Sequence, residues 1–88
     1  MSRVCRLSKL AAKQFRRLPR DRQKQIARSL DEMATDPTVG DVRIIKAGKF
    51  KGAFRKRVGH YRIIFALDPE LRMIEVATIL SRTDTTYN

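Results

Sequence analysis

Arg55 and Arg57 alternate along the stretch Ala53-Phe54-Arg55-Lys56-Arg57-Val58, and alternation on an extended chain sends both guanidinium groups to the same side. Phe54 and Val58 then share the other side. Arg62 follows just after a turn signal at Gly59-His60, so antiparallel pairing of the two flanking stretches brings it near the first two arginines. Arg82, and Tyr87 five residues later, complete the cluster if the terminal segment folds back. Arginine presents a planar fork of donors and stays charged at any accessible pH, which suits a phosphodiester. In RNA cleavage a 2′-hydroxyl attacks the adjacent phosphate, and fixed cations stabilise the charge that develops there. Arginine moves protons poorly, so acid or base work falls to a phenol, Tyr87 or Tyr61. The chain offers no carboxylate triad for magnesium and only one histidine, His60, so hydrolysis without a metal or cofactor is expected. The same arginines also suit a plain binding surface for a polyanion.

Other residues with chemical potential read more plainly. His60 sits in a turn, where a surface role is the default. Cys5 has no second cysteine for a disulfide and, with His60 alone, no zinc site; a packed small hydrophobe is expected. Lys56 shares the side of Phe54 and Val58 and is expected to snorkel or to lie at an edge. Phe50, between Lys49 and Lys51, is open enough to stack on a base, whereas Phe54 is expected in the core.

The charge is unevenly spread. The 88 residues carry +11, made of +9 over residues 1–30, −4 over 31–42, +8 over 43–62 and −2 over 63–88. Such a chain suits polyanions or an acidic protein as partners. Its length fits one domain, residues 1–88, which buries only roughly 60–65% of its unfolded surface. The longest apolar run, Ile63 to Leu67, is far short of the ~20 residues that span a bilayer, and the basic N-terminal segment has no signal-peptide core. A cytoplasmic protein without membrane contact is expected.

Hydrophobic spacing supplies the elements that position these residues. Leu7, Leu10, Ala11, Phe15 and Leu18 recur at helical intervals, with Ser8 able to cap the start. Leu18-Pro19 breaks the pattern, and Ile26, Ala27, Leu30, Met33 and Ala34 define a second helix that Asp36-Pro37 ends. From Val42 the pattern becomes extended: Val42 to Ile45, a glycine-punctuated loop from Lys46 to Gly52, then Ala53 to Val58, Tyr61 to Leu67 and Met73 to Leu80 as an antiparallel meander. A short strand over Arg3 to Leu7 is placed at an edge, and residues 81–88 form a polar tail. The expected class is α+β, a helical hairpin (about 8–36) packed on a small, mainly antiparallel twisted sheet (about 42–80). On the hairpin, Lys13, Arg16 and Arg17 lie mostly off the apolar stripe and form either a solvated face or an anchor for nucleic-acid backbone. Lys46, Lys49 and Lys51 offer the same anchorage in the loop.

The run Lys51-Gly52-Ala53-Phe54-Arg55-Lys56-Arg57-Val58-Gly59-His60-Tyr61-Arg62-Ile63-Ile64-Phe65 resembles the G-x-(aromatic)-R-x-R-x-G-x-Y-R-(apolar)3 stretch of the RelE/ParE superfamily of toxin-antitoxin toxins, and more closely its RelE branch. The resemblance implies a toxin that cleaves mRNA in the ribosomal A site. It also implies phosphate contacts by Arg55 and Arg57, charge stabilisation by Arg62 and Arg82, and a place near the 2′-hydroxyl for Tyr87. The partners it implies are the ribosome and mRNA and an acidic antitoxin, with operator DNA bound only through the antitoxin complex. Two departures stand out: the terminal stretch lacks the family's frequent histidine and spaces Tyr87 differently, and Lys56 replaces a residue that is usually apolar. A gyrase-directed, ParE-like toxin without bond-breaking chemistry and a non-catalytic RNA- or ribosome-binding module remain alternatives.

Overall fold

Ser8 is the joint between the two layers of the molecule. Its backbone N–H donates to Val76 O (2.9 Å), its hydroxyl donates to Ala77 O (2.6 Å), and the same oxygen accepts the N–H of Ala11 (3.0 Å) as the N-cap of the first helix. One short side chain therefore ties a helix start to a strand edge. In a computed structural model, which describes residues 3–81, the elements run β1 (Val4–Leu7), α1 (Lys9–Arg17), α2 (Arg20–Thr35), β2 (Asp41–Ile44), β3 (Phe54–Val58), β4 (Tyr61–Asp68) and β5 (Met73–Ser81). The expected α+β class, helical hairpin and meander are all observed.

The five strands form one sheet in the order β1-β5-β4-β3-β2. Every pairing is antiparallel except the one between β1 and β5, so the N-terminal strand lies at an edge as expected, and parallel to its neighbour. Both helices lie on one face. Ala11, Ile26 and Met33 from the helices meet Val58, Ile63, Phe65, Ile74, Val76 and Ile79 from the strands in one buried cluster. Phe54 joins it by stacking on Phe65, ring centroids 5.6 Å apart, as its strand parity required. Among the described residues no helix is long and apolar enough to cross a membrane.

Two details depart from the apolar pattern. Leu10 belongs to the helical stripe by spacing but is exposed, because α1 lies along the margin of the sheet and Ala11, Phe15 and Leu18 alone turn inward. The polar residue Gln14 faces the sheet instead. β1 ends at Leu7, opposite Val76, so β5 runs on with an unpaired edge; there the Gln14 side-chain oxygen accepts the N–H of Ile79 (2.7 Å) and the hydroxyl of Thr78 (3.0 Å), replacing the missing strand. Gln23 does similar work at the other end of α1, donating to the Phe15 and Arg16 carbonyls.

Lys56 corrects a second expectation. It neither snorkels nor lies at an edge: β2 pairs outside β3 and α2 lies above it, leaving Lys56 only 3% exposed. Its Nζ lies 3.6 Å from Glu32 Oε1 without a hydrogen bond, and Glu32 itself is largely in solvent. A buried ammonium held by one such contact is a weak source of stability.

Ser8→Ala is expected to lower unfolding free energy by about 1–2 kcal/mol, since it removes a cap and a cross-layer hydrogen bond together; urea denaturation measures this. Lys56→Met should leave the urea midpoint unchanged or raise it. Glu32→Ala should lower it, by less than the ~3–5 kcal/mol of a fully buried pair because Glu32 stands in solvent.

Candidate functional site

The hairpin between β3 and β4 decides where the arginines go. Its loop is Gly59-His60, with Gly59 at a φ of 57°, a left-handed conformation that suits glycine at the first position of a two-residue turn. A Cβ at Gly59 would also come within 2.8 Å of the Gln25 side chain on α2. The resulting register sets Val58 against Tyr61, Arg57 against Arg62 and Arg55 against Ile64. On the outer side β2 sets Arg43 against Arg55 and Asp41 against Arg57. Phe54, Lys56 and Val58 take the helix side, so Arg43, Arg55, Arg57 and Arg62 share the face that carries no helix among the described residues.

Arginines directly opposed on adjacent strands bring their Cβ atoms to within ~4.5–5.5 Å, and like charges placed so are destabilising. This face has two such pairings, Arg57 with Arg62 and Arg43 with Arg55. Asp41 lies 3.6 Å from Arg43, in an exposed pair of small energetic weight. Guanidinium groups opposed in this way concentrate positive potential on one face of the sheet, which suits an anion. Arg57 is exposed, whereas Arg55 and Arg62 are half-buried with their Nε atoms out of solvent, so their stems lie along the sheet beside the buried Ile64 and Leu80. The Arg55 Nε has no hydrogen-bond partner among the described residues. Arg57, Gly59, His60, Tyr61 and Arg62 line a shallow hollow at the hairpin end.

The predicted residues separate into groups. Arg55, Arg57 and Arg62 come together. Tyr61, one of the two candidate phenols, packs against the core cluster and belongs by strand parity to the helix side, although it also borders the hollow at the hairpin end. Arg82 and Tyr87 lie outside the described residues. Lys46, Lys49 and Lys51 are exposed on the loop that joins β2 to β3, with the Lys49 ammonium 5.6 Å from the half-buried Phe50 ring. That loop closes through Gly52 N–H to Ile45 O (2.9 Å) and leaves the sheet beside Arg43 and Arg55. Lys13, Arg16 and Arg17 are exposed on α1, in the other layer, and do not join the cluster. Arg43 was not singled out by the sequence, where it counted only as charge. Its alternation with Asp41 was visible, but its place opposite Arg55 depends on a strand pairing across a nine-residue loop.

Residues 5–85 match a family model described as the ParE toxin of the parDE type II toxin-antitoxin system. A search of curated proteins by sequence gave no match. The fold is similar to that of the archaeal RelE–RelB complex from Pyrococcus horikoshii, with a TM-score of 0.80 and 19% identity over 97% of this chain and 100% of that one. It is similar to the RelBE2 toxin-antitoxin complex from Mycobacterium tuberculosis, with a TM-score of 0.81 and 17% identity over 93% and 100%. The intact RelBE complex from E. coli gives a TM-score of 0.76 and 14% identity over 96% and 100%. At these identities the likeness is one of fold, and it matches the two helices on a five-stranded sheet described above.

Cys5 lies on the helix side, away from the arginines. Its Sγ donates to Leu30 O (3.3 Å), and burial, followed by the nearby Asp31 carboxylate, pushes the thiol pKa up. Iodoacetamide at mildly alkaline pH is expected to label Cys5 more slowly than a free cysteine, with urea restoring the ordinary rate; mass spectrometry follows both.

Proposed function

We propose, on the premise that this chain belongs to the ParE toxin family of type II toxin-antitoxin systems, that it is a ribosome-dependent endonuclease that cuts mRNA in the A site and thereby inhibits translation. The observation that carries this reading is the β3–β4 register, which opposes Arg57 to Arg62 and sets Arg55 beside them on a helix-free face. In cleavage the 2′-oxygen bonds to phosphorus, its proton passes to a base, the bond to the 5′-oxygen breaks, and that oxygen takes up a proton. Arg55, Arg57 and Arg62 would hold the phosphate and stabilise the added charge, which is strongest in the transition state. Arg82 is assigned to the same task. With Tyr61 on the helix side, the proton-carrying phenol is assigned to Tyr87.

RNA outside the reacting phosphate would be held by Lys46, Lys49, Phe50 and Lys51 on the loop and by Lys13, Arg16 and Arg17 on α1, through backbone charge and base stacking. A cognate acidic antitoxin would neutralise the protein in the cytoplasm; the solved Pyrococcus horikoshii and E. coli structures of the same fold reported above are complexes of toxin with antitoxin. Operator DNA would be reached only through that complex.

A second reading has its own support. The matching family model is that of ParE, and a ParE-like toxin would inhibit DNA gyrase by binding alone. Purified protein added to translating ribosomes separates the two. The endonuclease reading expects mRNA cut at A-site codons, with Arg57→Ala combined with Arg62→Ala slowing cleavage by about a hundredfold or more. Inhibited supercoiling with intact mRNA would select gyrase, and cleavage unaffected by the double variant would remove the arginines from the chemistry.

A further inference from the structure

The helix-free face continues past the arginines to a second feature. Arg6 on β1, Glu75 on β5 and Ala66 on β4 stand in one row across three neighbouring strands. Their sequence neighbours Cys5, Leu7, Ile74, Val76 and Phe65 all pack into the core, so this row faces away from the helices. With Ser8, Val76 and Ala77 it lines a hollow of about 300 Å³. The hollow exists because Ala66 and Ala77 present methyl groups where the rows beside them carry long side chains. At Ala77 the β4–β5 ladder also shifts register, leaving that residue without a partner opposite.

The charges on its rim are unusual for this surface. Three acids face the same way on the described sheet. Asp41 is paired with Arg43, and Asp68 accepts the N–H of Leu71 (3.1 Å). Glu75 is exposed and has no partner among the described residues, although Arg6 is its register neighbour and equally exposed. A free carboxylate on a face built for phosphate repels the backbone, so its use there is to meet a hydrogen-bond donor. Ala66 is four positions along β4 from Arg62 on the same face, a separation of roughly 13 Å. That distance suits a nucleotide flanking the one whose phosphate the arginines hold.

We propose that this hollow is a subsite for one nucleobase of the RNA, and that the Arg6–Glu75 pair selects guanine. The inference rests on the endonuclease reading. An apolar floor bounded by an acceptor-only carboxylate and a donor-only guanidinium matches a flat ring with apolar faces and a polar edge. Guanine is the base that engages both fully: its N1–H and N2–H2 donors suit the two Glu75 oxygens, and its O6 and N7 acceptors suit the fork of Arg6. Adenine and cytosine carry an amine with no ring N–H beside it, and uracil a ring N–H with no amine beside it, so each leaves part of the rim unsatisfied.

Cleavage mapping at nucleotide resolution, on translating ribosomes given a mixture of mRNAs, tests it with the wild type, Glu75→Gln and Arg6→Met. The wild type should enrich guanine at one fixed offset from the cut by about tenfold or more, and each variant should lose that enrichment. Thermal melting of the free proteins checks that these exposed substitutions leave the fold intact. A wild type that cuts without base preference, or variants that keep it, overturns the subsite and leaves the endonuclease reading standing. Unchanged base preference with weakened antitoxin binding reassigns the hollow to a peptide. A wild type that cuts no mRNA removes the endonuclease reading and the subsite with it.

Discussion

The pairing of β3 with β4 is the constraint on which the rest of the molecule depends. Side chains alternate along both strands, so a slip of one residue would send Arg55, Arg57 and Arg62 into the core and turn Phe54, Val58 and Ile63 out to solvent. Two groups of contacts hold the register. The tight Gly59-His60 loop sets the pairing at one end, and the stacked rings of Phe54 and Phe65 set it at the other. Between them the helix side gains by burial what the open side loses by repulsion. The arginine face is therefore a by-product of hydrophobic order on the reverse side of the same strands.

That division of labour explains why the helices matter to a site they do not touch. α2 covers Val58, Ile63 and the buried Lys56, and its Gln25 sits against the turn that fixes the hairpin. α1 is fixed to β5 through Ser8 and Gln14, two polar residues that satisfy strand-edge groups. Each helix thus packs on one face of the sheet, and among the described residues no helix covers the other. With opposed arginines on that other face, a ligand bearing negative charge would stabilise the fold as it binds.

Much of this was legible in the residues. Helical spacing followed by alternation gave the α+β class, Ser8 before the first periodic residue gave a cap, and parity along residues 53–58 gave the shared side of Arg55 and Arg57 together with the core position of Phe54. What stayed hidden depended on neighbours distant in the chain. Leu10 fits an apolar stripe, but the width of the stripe is set by how far α1 overlaps the sheet. Gln14 reads as a surface residue until β1 is seen to stop short of β5's length. Lys56 reads as an edge residue until β2 is placed outside it. Nothing local to Arg43, Arg6 or Glu75 shows which residues stand opposite them, because strand pairing across long stretches of chain decides it.

The parallel pairing of β1 with β5 has a consequence for how the protein comes into being. Residues 4–7 are made early and wait for residues 73–76 before they have a partner, and Ser8 and Gln14 wait for the same strand. Ile74, Val76 and Ile79 also supply a large share of the core. A nascent chain that has emerged only as far as β4 therefore has no closed core and no docking edge for α1, and these long-range contacts make assembly late rather than stepwise. The sheet that carries the arginine face closes its core only when β5 has left the ribosome, so synthesis itself imposes a delay between making the guanidinium groups and holding them on a stable fold.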